Sequence, residues 1–378
     1  MIRQVSLLII GTAFTSAANF WLYVIVAASD VTGGFAQLVR SNYIGGIYLF
    51  GVAASVGVVA MYAFRCGSAA RVLRVYAFLC GWIAIPLATA CSMTEYPLGA
   101  WLCLFSALCM QVAGLMTAAL VEAERAWAVS FLPTLHPITV WGTLMGLPED
   151  LPLKWVWCYT IASIGLCALF VTFGWRPLRQ KLEESRQVTS IRVKDVAGRM
   201  LLAVSFGAAL QIDQVVAGTT RHLDVARFAI LQKMYASVVT ALSGATIQMV
   251  MLRTTKDLLG ARGVWIIALS GAAAAGAIIA GGVLLQFQPQ FVLNEWDVLV
   301  IGLTASLYYW SAFANAWASM HWPRTSGFAV MLAALSYASV WLIEKLLHTT
   351  VHAIVPMLVF FLSYATAVTW RAWRAGSE

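Results

Sequence analysis

The sequence predicts an all-α integral membrane protein of about twelve transmembrane helices in two six-helix bundles, with both termini in the cytoplasm. Three observations predict it. The 378 residues are 61% hydrophobic and 11% charged, with a mean hydropathy of +0.82, whereas soluble domains carry roughly 25% charge. The apolar residues gather in runs near the ~20 residues that cross a bilayer. The basic residues between these runs favour alternate connections, as cytoplasmic loops do. Twelve spans leave only short loops, which excludes a large globular catalytic domain on either face.

The runs fall at about 5–28, 34–64, 72–94, 98–121, 126–147, 154–175, 199–218, 227–252, 263–286, 296–319, 326–346 and 349–370. The run after Met1-Ile2-Arg3 is too long for a signal peptide and has no clear cleavage site, so it reads as the first span. The longest polar gap, 176–198, separates six spans from six. The expected organisation is therefore an N-terminal bundle over 1–175, a basic cytoplasmic linker over 176–198 and a C-terminal bundle over 199–378. With the N-terminus inside, 18 of the 24 Lys and Arg residues lie in inside segments and four in outside loops. The +8 net charge is thus first an orientation signal and gives no reason to expect a nucleic-acid partner. The seven Cys residues form no Cys-x-x-Cys and sit mostly in apolar runs, so they read as small buried hydrophobes.

The two remaining cations, Arg40 and Lys233, lie within apolar runs. They occupy equivalent places in a short internal match. Residues 34–43, GFAQLVRSNY, align with 227–236, RFAILQKMYA, pairing Phe35 with Phe228, Ala36 with Ala229, Leu38 with Leu231 and Arg40 with Lys233. Both segments open a span that runs inward, as a parallel repeat of six-helix units requires.

Ionisable groups inside a bilayer are costly unless they face a cavity or a partner, and so they mark function. Here they are Arg40, Asp213, Lys233 and His136, with Asp30 at the end of span 1. Counted from their helix ends, Asp213 and Lys233 both lie roughly 8 Å below the outer boundary. They form either an ion pair stapling spans 7 and 8 or part of a hydrophilic cavity, in which Gln211, Gln214, Gln232 and Tyr235 take part. The first-half counterpart of Asp213 is approximately Asn19, which is neutral, so Arg40 is expected to be less compensated. Arg40 either snorkels to the outer surface or lines a central cavity with Lys233 and attracts an anionic head group.

Span 5, SFLPTLHPITVW, brackets His136 with Pro133 and Pro137. Proline frees helix carbonyls and kinks the span. His136 either carries a coupling proton or bonds a freed carbonyl. In span 10, Tyr308, Tyr309, Trp310, Asn315 and Trp317 suit either sugar rings or a core. Glu344, His348 and His352 are spaced four apart, but a break between spans 11 and 12 argues against a metal site there. The small-residue span 9 suits close helix packing. The chain lacks a phosphate-binding Gly-Lys-Ser/Thr loop, a nucleophile elbow and His-Glu-x-x-His, so no enzymatic activity and no resident cofactor is expected.

Spans 7 and 8, GRMLLAVSFGAALQIDQVVAGTTRHLDVARFAILQKMYASVVTALSGATIQMVMLR, resemble the start of the second half of Wzx-type polysaccharide flippases. These belong to the multidrug/oligosaccharidyl-lipid/polysaccharide (MOP) exporter superfamily. The features that carry the resemblance are QID at 211–213 and ARFAILQKMYA at 226–236. The resemblance implies two MATE/MOP-like bundles around a central cavity lined by spans 1, 2, 7 and 8. It also implies a lipid-linked (undecaprenyl-pyrophosphate) glycan substrate, basic cavity residues at Arg40 and Lys233, and a polar or acidic residue at Asp213. It further implies a bacterial inner-membrane location and polysaccharide assembly proteins as partners. The chain is short for that family and has no charged residue at the centre of span 1. Coupling to H+ or Na+ thus has no residue-level support.

Two other functions fit parts of the sequence. A small-molecule antiporter of the drug or cation type would use Asp213 as its buried acid. A glycan polymerase or acyltransferase is disfavoured by outside loops of roughly ten residues or fewer and by the lack of His in the first four spans.

Overall fold

The computed structural model describes residues 7, 10–11, 14–22, 34–53, 55–65, 67–184, 193–194, 196–200, 232, 239, 269–276, 279, 295–321, 323–347 and 355–375. Chain contacts divide it into two units, Met1–Ile230 and Leu231–Glu378.

In the first unit, residues 14–22 are helical. Span 2 runs as α1 (Gly34–Ile47), a π-helical turn (Tyr48–Ala53) and α2 (Ser55–Arg65). Then follow α3 (Ala69–Cys91), α4 (Pro97–Glu122), the short α5 (Ala126–Phe131), a 3-10 turn (Leu132–Thr134), α6 (Leu135–Gly146) and α7 (Lys154–Glu184). Helices α3, α4 and α7 are each long and apolar enough to cross a membrane. Large side chains face outward from the unit: Phe78, Trp82 and Ile85 on α3 are each about two-thirds exposed. A contiguous face of that kind belongs against hydrocarbon rather than water.

Helix α4 is the hub of this unit, lying against α1, α2 and α7. Small residues permit the close approach. A Cβ on Gly45 of α1 would stand 2.7 Å from the Cys103 backbone carbon of α4, and one on Gly174 of α7 would stand 2.7 Å from the Met116 Cβ. One half of α4 packs Leu104 and Ala107 with Tyr48, Val52 and Val56 of span 2 and with Val72, Tyr76 and Cys80 of α3. The other half packs Ala113, Met116 and Leu120 with Val129, Leu132, Leu166 and Phe170. Val196 and Met200, from the end of the basic linker and the start of span 7, join the first of these cores. Beside them the Arg199 guanidinium lies 4.1 Å from the centre of the Tyr62 ring.

Connections follow local chemistry. Helix α4 ends with Arg125 N–H donating to the Leu120 carbonyl and Glu124 N–H to that of Val121. Glu124 sits between them in the left-handed region at φ 54°, which makes a Schellman cap with glutamate in the usual glycine position. Helix α7 continues past its apolar part, where Arg179 pairs with Glu183 at 2.8 Å and Lys181 with Glu184 at 3.0 Å.

In the second unit, α8 (Glu295–His321), α9 (Pro323–Leu347) and α10 (Val355–Ala375) are described in full as helices, with part of span 9 at 269–276. Helix α10 packs on both α8 and α9. Tyr308 stacks on Phe361 at 4.9 Å, and the Ser311 hydroxyl donates to the Phe361 carbonyl at 3.0 Å. Span 9 meets α8 closely, its Gly271 and Gly276 facing Tyr309 and Ser306.

The tight α1–α4 crossing makes a direct prediction. Gly45→Val should lower thermal stability in detergent, by about 1–3 kcal/mol for overpacking. Gly165→Val, where an added Cβ meets nothing within 4 Å, should leave the melting midpoint nearly unchanged.

Candidate functional site

A π-helical turn widens the helix and disrupts its regular hydrogen bonding, and such turns gather at functional sites. The turn at Tyr48–Ala53 is closed by polar groups from two other helices. The Val52 carbonyl accepts from Tyr76 Oη at 2.9 Å and from Ser55 Oγ at 2.6 Å. Tyr48 Oη donates to Gln111 Oε1 at 2.7 Å, while Gln111 Nε2 donates to Tyr76 Oη at 3.0 Å and to Cys80 Sγ at 3.2 Å. Span 2, α3 and α4 are thus joined through one amide. Gln111 provides both a donor and an acceptor, which neither a carboxylate nor a hydrocarbon can do at that place. Sequence reasoning directed at ionisable groups missed this network. Its one signal was a neutral amide inside an otherwise apolar run.

Span 5 breaks as its prolines predict. Pro133 lies in the 3-10 turn and Pro137 in the first turn of α6, where a missing N–H costs little. Span 1 is fastened to this break. Thr15 Oγ1 donates to the Ser130 carbonyl at 3.0 Å and lies 2.6 Å from Thr134 Oγ1. His136 reaches α7. Its Nε2 lies 3.3 Å from Ser163 Oγ of α7, and its ring meets Tyr159 edge-on at 5.6 Å. Asn19 is half-buried and its Nδ2 donates to the Thr15 carbonyl one turn earlier at 3.0 Å.

Arg40 is the expected cavity residue that the structure places most directly. Arg40 Nη1 lies 3.4 Å from both carboxylate oxygens of Glu95, in the loop before α4. The neighbouring Ser41 abuts Gly99, the third residue of α4. The guanidinium is therefore level with the beginning of α4. The first turn of α1 packs on the start of α7, where Phe35 meets the Trp155 ring edge-on at 5.6 Å. The cation is not uncompensated. Glu95 is the carboxylate that the sequence, searched only along spans 1 and 2, did not supply. Both side chains are exposed, at 51% and 60%.

Lys233, Asp213, Gln211, Gln214 and Tyr235 lie outside the described residues, as does Asp30. Gln232 is helical and buried. In span 10, Tyr308 and Tyr309 are core residues. Trp310 Nε1 donates to Thr369 Oγ1 at 2.8 Å, beside an open groove of about 680 Å³ lined by Leu269, Ala272, Ser306, Leu362, Thr366 and Trp370 among others. Among the described residues that line it the groove carries no charged side chain. The side chains of Asn315, Trp317 and Glu344, and residues His348 and His352, fall outside the described residues. Cys80, Cys91, Cys103 and Cys158 are buried free thiols, in keeping with their expected role as small hydrophobes.

No family model matches the sequence. No curated protein matches it significantly. Solved structures do match over nearly the whole chain. The MATE transporter ClbM in complex with Rb+ superposes with a TM-score of 0.58 at 16% identity, covering 98% of this chain and 94% of that one. A multidrug resistance MATE family transporter of the MOP superfamily, in an outward-facing conformation, gives 0.58 at 11%, with coverages of 99% and 96%. A MOP superfamily transporter from Pyrococcus furiosus, described as having a binding pocket of reverse polarity suggesting a different function, gives 0.60 at 12%, again with 99% and 96%. The chain therefore has an all-helical, MATE-like fold. At these identities the likeness concerns the fold alone.

The amide at the π turn is open to test. Gln111→Leu should cost about 1–3 kcal/mol, because the Tyr48 hydroxyl loses its acceptor in a dry interior. Tyr76→Phe should cost less, since Ser55 still donates to the Val52 carbonyl. Melting midpoints of the two purified variants measure the difference.

Proposed function

We propose that this protein is a lipid-linked oligosaccharide flippase of polysaccharide biosynthesis in the bacterial inner membrane. It moves an undecaprenyl-pyrophosphate glycan by alternating access, with the head group in the protein and the lipid tail in the bilayer. The observation that carries this reading is Arg40. It is an exposed guanidinium on a span-2 helix, level with the start of α4, in a fold whose solved examples are transporters. A guanidinium offers five donors in a planar fork that suits phosphate oxygens. Lys233 holds the matching place in the second half of the sequence and would supply the second cation, with Asp213, Asn19, Gln211, Gln214 and Tyr235 as polar lining. The glycan is the cargo, and polysaccharide assembly proteins are its expected partners. Any coupling through H+ or Na+ would have to use a group such as His136, whose bond to Ser163 equally suits a role in holding span 5 to α7.

A second reading has its own support. Asp213 is an acid within an apolar run, and the similar structures include a multidrug transporter and one bound to Rb+. A drug or cation antiporter would use Asp213 as its essential group.

The two readings part in one comparison. In a flippase-deficient bacterial strain complemented with this gene, Arg40→Ala/Lys233→Ala should cut surface polysaccharide to about a tenth or less. That is the loss expected for removing charge-assisted contacts to phosphate. Membrane levels of the variant should be unchanged. Full export by the double variant removes the basic-site reading. A rise in drug susceptibility with Asp213→Asn, without loss of polysaccharide, favours the antiporter.

A further inference from the structure

We propose that Glu95 is a built-in competitor for the substrate phosphate: it holds Arg40 between transport events and hastens release of the head group at the outer face. The inference rests on the flippase reading above and adds to it a residue that sets affinity.

The geometry of the pair supports displacement rather than a permanent staple. A single guanidinium nitrogen, Nη1, is shared between the two carboxylate oxygens at 3.4 Å each. Strong guanidinium–carboxylate pairs are shorter, near 2.7–2.9 Å, and often use two parallel N–H donors. Among the described residues, Arg40 Nη2 and Nε make no such contact with Glu95. The plane of the fork is therefore left to another planar or tetrahedral anion. Both partners are more than half exposed, and exposed pairs of this kind contribute little net stability.

Position adds to this. Arg40 sits on α1 while Glu95 sits in the turn of Ser92–Tyr96 that joins α3 to α4. Swinging Glu95 aside breaks no helix and uncovers no core. Tyr43, one turn further along α1, lies on the same face as Arg40 and is only half-buried. A phosphate reaching the guanidinium therefore meets a cation, a neighbouring phenol and a carboxylate that must be displaced. Breaking the Arg40–Glu95 pair costs the same whichever anion displaces the carboxylate. A pyrophosphate, with more charge and more acceptor oxygens, overcomes that cost better than a singly charged anion. On the outward-facing side the same carboxylate retakes Arg40 as the product leaves.

The test uses the full-length protein in phosphatidylcholine nanodiscs, with farnesyl pyrophosphate as the probe and binding read by calorimetry. Glu95→Gln should bind about threefold to fivefold tighter, the range set by the strength of an exposed pair. Glu95→Asp should bind as the natural protein does. Arg40→Ala should bind more weakly, and Arg40→Ala/Glu95→Gln should equal Arg40→Ala, because the carboxylate acts through the guanidinium. If Arg40→Ala weakens binding but Glu95→Gln does not strengthen it, the competitor role is overturned while the flippase reading stands. If Glu95→Gln strengthens binding equally without Arg40, the effect is general repulsion and the competitor role is again overturned. If Arg40→Ala binds as the natural protein does, the placement of the phosphate on Arg40 falls, and the flippase reading loses its main support with it.

Discussion

A bilayer core offers no hydrogen-bond partners, and the structure is organised by that constraint. Each backbone polar group in a span must be satisfied within the protein. Where the helices are regular this is automatic. Ser and Thr side chains then bond back to a carbonyl one turn earlier, as Ser106 does to Leu102, Thr117 to Ala113 and Thr304 to Val300. Where helices depart from regularity, distant residues must close the gap. The π turn of span 2 is closed by Tyr76, Ser55 and Gln111, and the break in span 5 by Thr15 of span 1. These closures tie together the spans that irregularity would otherwise loosen. The first unit thus owes its specific arrangement to its irregular turns as much as to its apolar packing.

The same constraint governs charge. Among the cations, Arg40 is admitted because it reaches a loop carboxylate at the edge of the apolar region. Its functional weight follows from that edge position. In the proposed flippase a guanidinium at the rim would contact the head group as it arrives or leaves, and Glu95 would then affect how long the contact lasts. The long apolar groove beside Trp310 in the second unit offers surface but no charge, so the two halves contribute differently as far as their described residues extend.

Apolar runs at 72–94, 98–121 and 126–147 correspond to helical segments at 69–91, 97–122 and 126–146. Hydropathy locates spans well because hydrocarbon thickness imposes a length. Pro133 and Pro137 disclosed the break in span 5, since a missing N–H is a local covalent fact. The π turn left no such mark: Tyr48–Ala53 is as apolar as any helix, and what sustains it lies 24 to 63 residues away at Tyr76 and Gln111. Glu95 was equally hidden, because a loop carboxylate looks like any solvated charge until folding sets it beside Arg40.

The sequence by itself determined that this chain is built from long apolar helices of the kind that cross a membrane. It also singled out Arg40 and Lys233 as cations that topology does not explain. Those properties are additive along the chain: hydrophobic transfer, charge bias and proline chemistry are paid residue by residue. Only the tertiary structure decided the depth of Arg40, its carboxylate partner and the amide that closes the π turn. Each depends on how far neighbouring helices are offset along their axes. That offset is set by contacts such as Gly45 against Cys103 and Gly99 against Ser41, where the spacing of side chains on two helices must match at once.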